Sequence, residues 1–183
     1  MQVPDWEYRV ATGCASGERS AQRELYDGFC DDMLMLCYRY IPEREEAREA
    51  LMDGFLACFK GIAGFGYRGP GSLKAWLKRV MINACLSRLR KRPPPPTEMM
   101  GDDADGIGIE SDALQRLSAK EILLLVQELP DGYRTVFNLY SFEGLGHKEI
   151  AGLLGISEAT SKSQLFKAKA RLRQRLPHQA DKR

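Results

Sequence analysis

Apolar residues recur at intervals of three and four along most of this chain, the spacing that places them on one face of an α-helix. In the first half this pattern predicts a helix from Ser16 that Pro42 ends, a second over 43–61, and a third over 72–92 with Ser72 as its N-cap. Residues 1–15 fit either a helix or a strand-like arm. The apolar faces predicted to form the core of this half are Ala21, Leu25, Phe29, Met33, Leu36, Cys37 and Tyr40; Ala47, Leu51, Phe55, Cys58 and Phe59; and Leu73, Trp76, Leu77, Val80, Met81, Ala84, Cys85 and Leu89.

The second half has the same periodicity in shorter segments. A helix with apolar positions from Leu114 to Leu129 is ended by Pro130, and a further helix begins with Asp131 as its expected cap. No segment has the alternation of a β-strand, so we predict an all-α protein. The side chains expected to point inward from the helix after Pro130 are Tyr133, Val136, Phe137 and Tyr140.

A helix-turn-helix pattern occupies residues 146–176. Gly155 follows a short apolar helix, where a left-handed residue ends a helix at little cost. Ser157 then stands at an N-cap position, and the second helix is basic after its first turn. Such a pair places its second helix in the DNA major groove; the alternative is a helical hairpin with a solvated basic face. The predicted apolar faces are Ile150, Ala151, Leu153 and Leu154 in the first helix and Leu165, Ala168, Leu172 and Leu176 in the second.

Charge is unevenly distributed, although the formal net charge is only +2. Basic residues dominate 74–92, whereas 97–112 is acidic and follows four consecutive prolines, Pro93–Pro96. Prolines and a run without apolar anchors are typical of a flexible linker. We therefore predict two small helical domains, 1–93 and 113–183, joined by a Pro-rich and acidic linker at 94–112. Two basic domains on either side of an acidic spacer indicate two contacts with a polyanion.

The sequence motifs that indicate catalysis are missing from this chain. It has no phosphate-cradling or metalloprotease motif and no nucleophile with a paired base, so we expect neither an enzyme nor a small-molecule substrate. The five cysteines form no CxxC pair and are interpreted as reduced core residues, so we expect no metal and no cofactor. Neither a signal peptide nor a membrane span is recognisable, which predicts a cytoplasmic protein without membrane insertion.

Two further surfaces have both a structural and a functional interpretation. The loop over 61–72 is glycine-rich and carries Phe65, Tyr67 and Arg68, next to a basic helix. Aromatic rings beside lysines and arginines suit single-stranded nucleic acid, while the alternative makes Phe65 a core plug under the loop. The acidic run over 43–49 is either a solvated face or a partner surface.

The two halves together resemble an extracytoplasmic-function sigma factor of the sigma-70 family. ELPDGYRTVFNLYSFEGLGHKEIAGLLGISEATSKSQLFKAKARL resembles the domain that reads the promoter −35 element, and SLKAWLKRVMINACLSRLRKR resembles part of the domain that binds core polymerase and the −10 element. The resemblance covers roughly 16–93 and 113–176. It implies that the chain binds core RNA polymerase and promoter DNA, reads −35 as duplex, and helps to open −10 by capturing an unpaired base. A stand-alone helix-turn-helix regulator is the alternative.

The resemblance also implies site residues and one further candidate partner, an anti-sigma factor. Glu49, Met52 and Gly54 depart from the residues usual in the family's polymerase-binding helix, and Ala159 replaces a usual glycine. The implied −35 contacts are Thr160, Ser161, Lys162, Ser163, Gln164, Lys167, Lys169 and Arg171; the implied −10 contacts are Phe65, Tyr67, Arg68, Trp76, Lys78, Arg79, Asn83 and Arg88; and the implied core polymerase contacts are Glu49, Met52, Asp53 and Leu56.

Overall fold

The computed structural model describes residues 5–92 and 119–175, and within these ranges the regular structure is entirely helical. The predicted all-α fold is confirmed. The chain divides into two compact units, Met1–Pro93 and Pro94–Arg183. The predicted linker, the start of the helix at Leu114 and the end of the last helix at Leu176 lie outside the described residues.

The first unit is built from four α-helices and one short 3-10 turn. Helix α4 packs against both α2 and α3, and α1 packs against α2. The core lies between these helices and contains the apolar face predicted for α2. The elements are α1 Trp6–Ala15, α2 Arg19–Tyr40, α3 Arg44–Gly61, the 3-10 turn Ile62–Gly64 and α4 Ser72–Leu89.

The buried face of α4 differs from the prediction because two neighbours cover this helix. Ile82 and Leu86 are buried although the sequence pattern did not single them out. Contacts with both α2 and α3 shift the buried face toward them. Four residues that we had expected inside are only half-buried: Trp76, Val80, Ala84 and Leu89.

A glycine in α3 allows α3 and α4 to approach closely. Gly54 is buried, and a Cβ at this position would lie 2.2 Å from the sulfur of Met81 on α4. Because Met81 is itself fully buried, it has little room to move away. The unusual glycine in this helix is thus explained by packing.

Residues 6–15 form a helix, which decides between the two alternatives for the N-terminal segment. Asp5 caps α1 by accepting from the backbone N–H of Glu7 at 3.3 Å. The Trp6 indole donates to Glu24 Oε1 at 2.7 Å, and its ring packs against Phe29 with centroids 5.4 Å apart. These contacts dock α1 on α2.

The second unit contains four helices in the described range. Helix α6 and helix α7 both pack against α8, and the core includes Val136, Leu139, Ile150, Leu165 and Leu172. The elements are α5 Ala119–Gln127, α6 Asp131–Ser141, α7 His147–Leu154 and α8 Glu158–Arg175.

Polar groups contribute to the interior around α6, which the apolar pattern did not reveal. Arg134 is buried and donates to the carbonyl oxygen of Leu129 at 2.5 Å, and it forms an ion pair with Asp131. Asp131 is therefore the first residue of α6 and a partner for Arg134, whereas we had expected it to cap the helix. Tyr140, expected inside, is 39% exposed.

Candidate nucleic-acid interface

The turn between α7 and α8 has the geometry that the sequence predicts. Gly155 ends α7 in the left-handed conformation, with φ 68° and ψ 32°. Ser157 Oγ accepts from the backbone N–H of Thr160 at 2.9 Å, which caps α8. At the start of α7, Glu149 Oε2 accepts from the backbone N–H of Gly146 at 2.8 Å. The local sequence thus sets both ends of α7 and the start of α8.

Ser161, predicted as a DNA contact, instead lies in the interior of the second unit. Its side chain is fully buried, and its hydroxyl lies 3.0 Å from His147 Nδ1. The His147 ring stacks on Tyr140, with centroids 5.0 Å apart. Because Ser161 faces α7 and cannot reach a base edge, its contacts hold the two helices of the motif together.

The other predicted −35 residues divide by exposure. The Lys162 ammonium pairs with Glu158 at 2.9 Å, and this bond lowers the pKa of the Glu158 carboxyl. The Lys169 ammonium and the Arg171 guanidinium lie over the rings of Tyr140 and Tyr133, each 5.5 Å from the centroid. Exposed residues are Thr160, Lys162 and Ser163; half-buried residues are Gln164, Lys167, Lys169 and Arg171.

In the first unit the glycine-rich loop lies against the start of α4. The Phe65 ring contacts the Trp76 ring with centroids 5.3 Å apart, and both side chains are half-buried. Phe65 is therefore not a fully buried core plug. Arg68 is exposed, and Tyr67 is half-buried.

One face of α4 continues the surface that begins at this loop. Trp76, Arg79 and Asn83 are separated by three and four residues and so share a side of the helix. Arg79 and Asn83 are exposed, whereas Lys78 is half-buried. The aromatic pair, an amide and an arginine therefore come together along one side of the first unit.

Arg88 is not on that face. It lies five residues beyond Asn83, about 140° around the helix, and its guanidinium pairs with Glu49 at 2.5 Å and Asp53 at 2.8 Å. Arg92 forms similar pairs with Glu43 and Glu46. Arg88 on α4 and Arg92 just beyond its end, both predicted to lie on a basic surface, thus pair with acidic residues of α3 and with its N-cap, Glu43.

The predicted polymerase-binding residues lie together on α3. Met52 and Leu56 are 51% and 56% exposed, and their four-residue spacing makes them neighbours on the surface. Glu49 and Asp53 lie beside them on the helix and are held by Arg88. The surface is therefore an apolar pair bordered by carboxylates whose charge is partly balanced.

The sequence patterns missed two residues that contact the loop over 65–72. Glu7 Oε2 accepts from the backbone N–H groups of Gly71 at 2.8 Å and Leu73 at 3.2 Å. The Tyr67 hydroxyl donates to Asp5. We had expected Ser72 to cap α4, but Ser72 is the first residue of the helix and its hydroxyl donates to the carbonyl oxygen of Gly69 at 2.6 Å. No local pattern reveals a cap that comes from more than sixty residues away.

Comparison with known proteins matches each of the two units to a family model. Residues 25–93 match the family model "Sigma-70 region 2", and residues 119–172 match "Sigma-70, region 4". A stand-alone regulator would leave the first match unexplained. The chain belongs to the sigma-70 family, and a relative at 30% identity over most of its length places it among the extracytoplasmic-function sigma factors.

Several curated relatives align over most of the chain. It is 28% identical to RNA polymerase sigma-H factor of Pseudomonas aeruginosa, covering 92% of this chain and 93% of that protein. It is 30% identical to the extracytoplasmic-function sigma factor SigM of Bacillus subtilis, covering 82% and 91%. The solved structure of CnrH in complex with the cytosolic domain of CnrY is similar in fold, with a TM-score of 0.51, 22% identity, and coverage of 96% and 100%.

Membership of this family defines what the protein does. It is a transcription initiation factor that binds core RNA polymerase and promoter DNA and directs promoter recognition. No helix in the described part of the chain combines the length and the apolarity needed to cross a membrane.

Proposed function

We propose that the two units divide promoter recognition between them. Domain 1–93 binds core polymerase and captures the opened −10 strand, and domain 113–183 reads the −35 element as duplex. Segment 94–112 joins them, and the chain acts in the cytoplasm, where polymerase and DNA are found. The observation that carries the proposal is that aromatic and amide groups gather on one unit, whereas the other presents a basic helix.

The −10 site is proposed at the Phe65–Trp76 pair and the α4 face that follows it. A tilted pair of half-buried rings presents an apolar surface on which an unstacked base can lie. The exposed amide of Asn83 supplies both a donor and an acceptor for a base edge. Arg79 on this face of α4 and Arg68 on the loop are both exposed and suit the phosphates on either side of that base.

The −35 site is proposed at the N-terminal half of α8. Lys162 and Ser163 are exposed there and Gln164 is half-buried, in the part of a recognition helix that meets base edges. Lys167 lies about one turn further along, where a cation meets the DNA backbone. Lys169 and Arg171 are held over tyrosine rings and so act as positioned charges.

Substitutions in α8 separate the two kinds of −35 contact. Gln164→Ala should reduce the preference for one base pair of the −35 element by about 1–3 kcal/mol, because it removes an amide that can form two hydrogen bonds with one base. Lys167→Ala should weaken binding to all −35 variants alike and reduce the salt dependence by about one unit of slope, because it removes a phosphate contact. The measurement is holoenzyme binding to promoter variants at several salt concentrations. A base-specific effect of Lys167→Ala would contradict these assignments.

The polymerase contact is proposed at the exposed apolar pair Met52 and Leu56. A charge at Met52 should weaken core binding, because an apolar contact would then bury a carboxylate. Met35 on α2 provides a matched control, since it is the same residue with the same exposure of 51%. Core binding is measured by titration of labelled protein with core polymerase. Met52→Asp should lose affinity and Met35→Asp should keep it; equal effects of both changes would place the contact elsewhere.

An anti-sigma factor is a further proposed partner. CnrH, which shares the fold, is seen in complex with the cytosolic domain of another protein. The exposed apolar residues of α3 would suit such a partner as well as polymerase, in which case the two compete. Purification of the chain from its own host with the bound protein retained tests this proposal.

A further inference from the structure

Helix α1 supplies the N-terminal cap of α4. Glu7 is only 9% exposed, and its carboxylate accepts from the N–H groups of Gly71 and Leu73. These groups belong to the orphan donors at a helix N-terminus, where a carboxylate is also favoured by the helix dipole. Glu7 therefore fixes the point at which the loop over 65–72 becomes α4.

A second contact from the same segment holds the middle of the loop. The Tyr67 hydroxyl donates to Asp5, and the Tyr8 ring meets the Tyr67 ring edge-on with centroids 5.3 Å apart. Burial, together with the hydrogen bond to Asp5, raises the pKa of Tyr67 to about 12. The phenol thus remains protonated, and a donor to Asp5, up to a higher pH than an ordinary tyrosine.

The loop needs such contacts because its backbone is intrinsically free. Gly69 and Gly71 have φ values of +115° and +85°, a region that glycine enters without steric cost. Glycine also has the most conformational freedom to lose, so a loop built on it does not hold one shape by itself. Hydrogen bonds between Ser72 and both Arg68 and Gly69 hold the end of the loop from within. From outside, the loop is held by the Phe65–Trp76 contact and by the contacts from residues 5–8.

We propose that α1 is part of the −10 site and that Glu7 is a positioning residue, which holds the 65–72 loop in the conformation that receives the unpaired base. This role rests on the proposed function of that loop. Glu7 precedes the residues that match the region 2 model, 25–93. A loop already held in its binding shape loses less conformational freedom when DNA arrives.

Glu7 is tested in the holoenzyme, on a promoter selected with the unaltered protein. Glu7→Ala should leave closed-complex formation on duplex DNA intact and slow strand opening about tenfold, the effect expected when hydrogen bonds to a charged acceptor are lost. On DNA with pre-opened −10 strands, transcription activity should recover, but the base preference at one −10 position should fall toward equality. A purely structural role would not change base preference. Glu7→Gln keeps the shape and one acceptor oxygen, so it should have a smaller effect.

Glu24→Ala is the matched control. Glu24 on α2 also binds α1, through Trp6 and Arg9, but does not contact the loop. It should leave base preference unchanged; the same loss of preference in Glu24→Ala would overturn the specific role of Glu7. Should Glu7→Ala unfold the unit, as judged by circular dichroism, Tyr67→Phe replaces it, since it breaks the bond to Asp5 and keeps the ring. Unchanged base preference in Tyr67→Phe would then contradict the proposal.

Asn83→Ala distinguishes this inference from the proposed function. If Asn83→Ala slows opening and Glu7→Ala leaves opening and base preference unchanged, the loop captures the base but α1 does not position it. If neither change affects opening or base preference, the −10 assignment of the loop fails as well.

Discussion

Single residues set the close contacts of this protein, and Gly54 is the clearest example. In a solvent-exposed helix, alanine would be about 1 kcal/mol more favourable than glycine. At Gly54 an added methyl group would collide with the buried Met81 side chain. The local preference for alanine is therefore overridden by the distance between α3 and α4.

Gly54→Ala should lower the stability of the first unit. Overpacking costs about 1–3 kcal/mol, against the roughly 1 kcal/mol gained in helix propensity. Trp6 and Trp76 are the only two tryptophans of the chain, so urea denaturation followed by their fluorescence reports on this unit. The control is Gly152→Ala on α7, where no atom lies within 4 Å of the new Cβ. Gly152→Ala should leave the fluorescence transition unchanged. A urea midpoint for Gly54→Ala that equals or exceeds that of the unaltered protein would contradict the packing argument.

The pKa of Glu24 provides a second test at the residue scale. Hydrogen bonds from Arg9 and then Trp6 lower the pKa of this carboxyl. A lowered pKa in the folded state means that the contribution to stability is present above the unfolded pKa, near 4.3, and is lost as pH falls through the folded value. Arg9→Met should raise the Glu24 pKa, as measured by NMR titration of the carboxyl carbon. An unchanged pKa would show that Arg9 does not hold Glu24 in solution.

At the scale of helices, α3 and α4 are connected by arginine–carboxylate pairs in addition to their apolar contact. Arg88 reaches Glu49 and Asp53, and Arg92 reaches Glu43 and Glu46. The four carboxylate side chains are between 44% and 61% exposed, so each pair contributes little alone. Arg88 nevertheless joins the proposed polymerase-binding helix to the proposed −10 helix.

A double-mutant cycle measures this connection. Arg88→Met and Asp53→Asn should be coupled by up to about 1 kcal/mol, because each removes the other's partner. The coupling should shrink in 1 M salt, where charges are screened within about 3 Å. Arg48 and Glu45, an exposed pair within α3, form the control and should couple more weakly. Additive effects for Arg88 and Asp53 would mean that the pair has no energetic role.

Helices of this kind are predictable from sequence where their signals are local. The face of α2, the left-handed Gly155 and the Ser157 cap all depend on neighbours within a few residues, and they were predicted correctly. The cap of α4 was not, because its acceptor is Glu7. Ser161 was misjudged for a related reason, since a serine on a basic helix gives no local sign that it faces His147.

At the scale of the whole molecule, the two units carry chemically different surfaces. The first has paired rings, an exposed amide and a loop held by α1, all suited to a base that has left the duplex. The second has a capped basic helix suited to the major groove of intact duplex. The two contacts should therefore matter at different steps of initiation.

Permanganate footprinting of strand opening on duplex promoters, run beside transcription from pre-opened promoters, tests this division most directly. Holoenzyme with Asn83→Ala should form the closed complex but open the −10 region slowly. Its transcription activity should recover on pre-opened DNA. Holoenzyme with Gln164→Ala should bind the duplex weakly from the start and gain nothing from pre-opening. If both variants fail at the same step and neither responds to pre-opened DNA, the assignment of the two contacts to the two units is wrong.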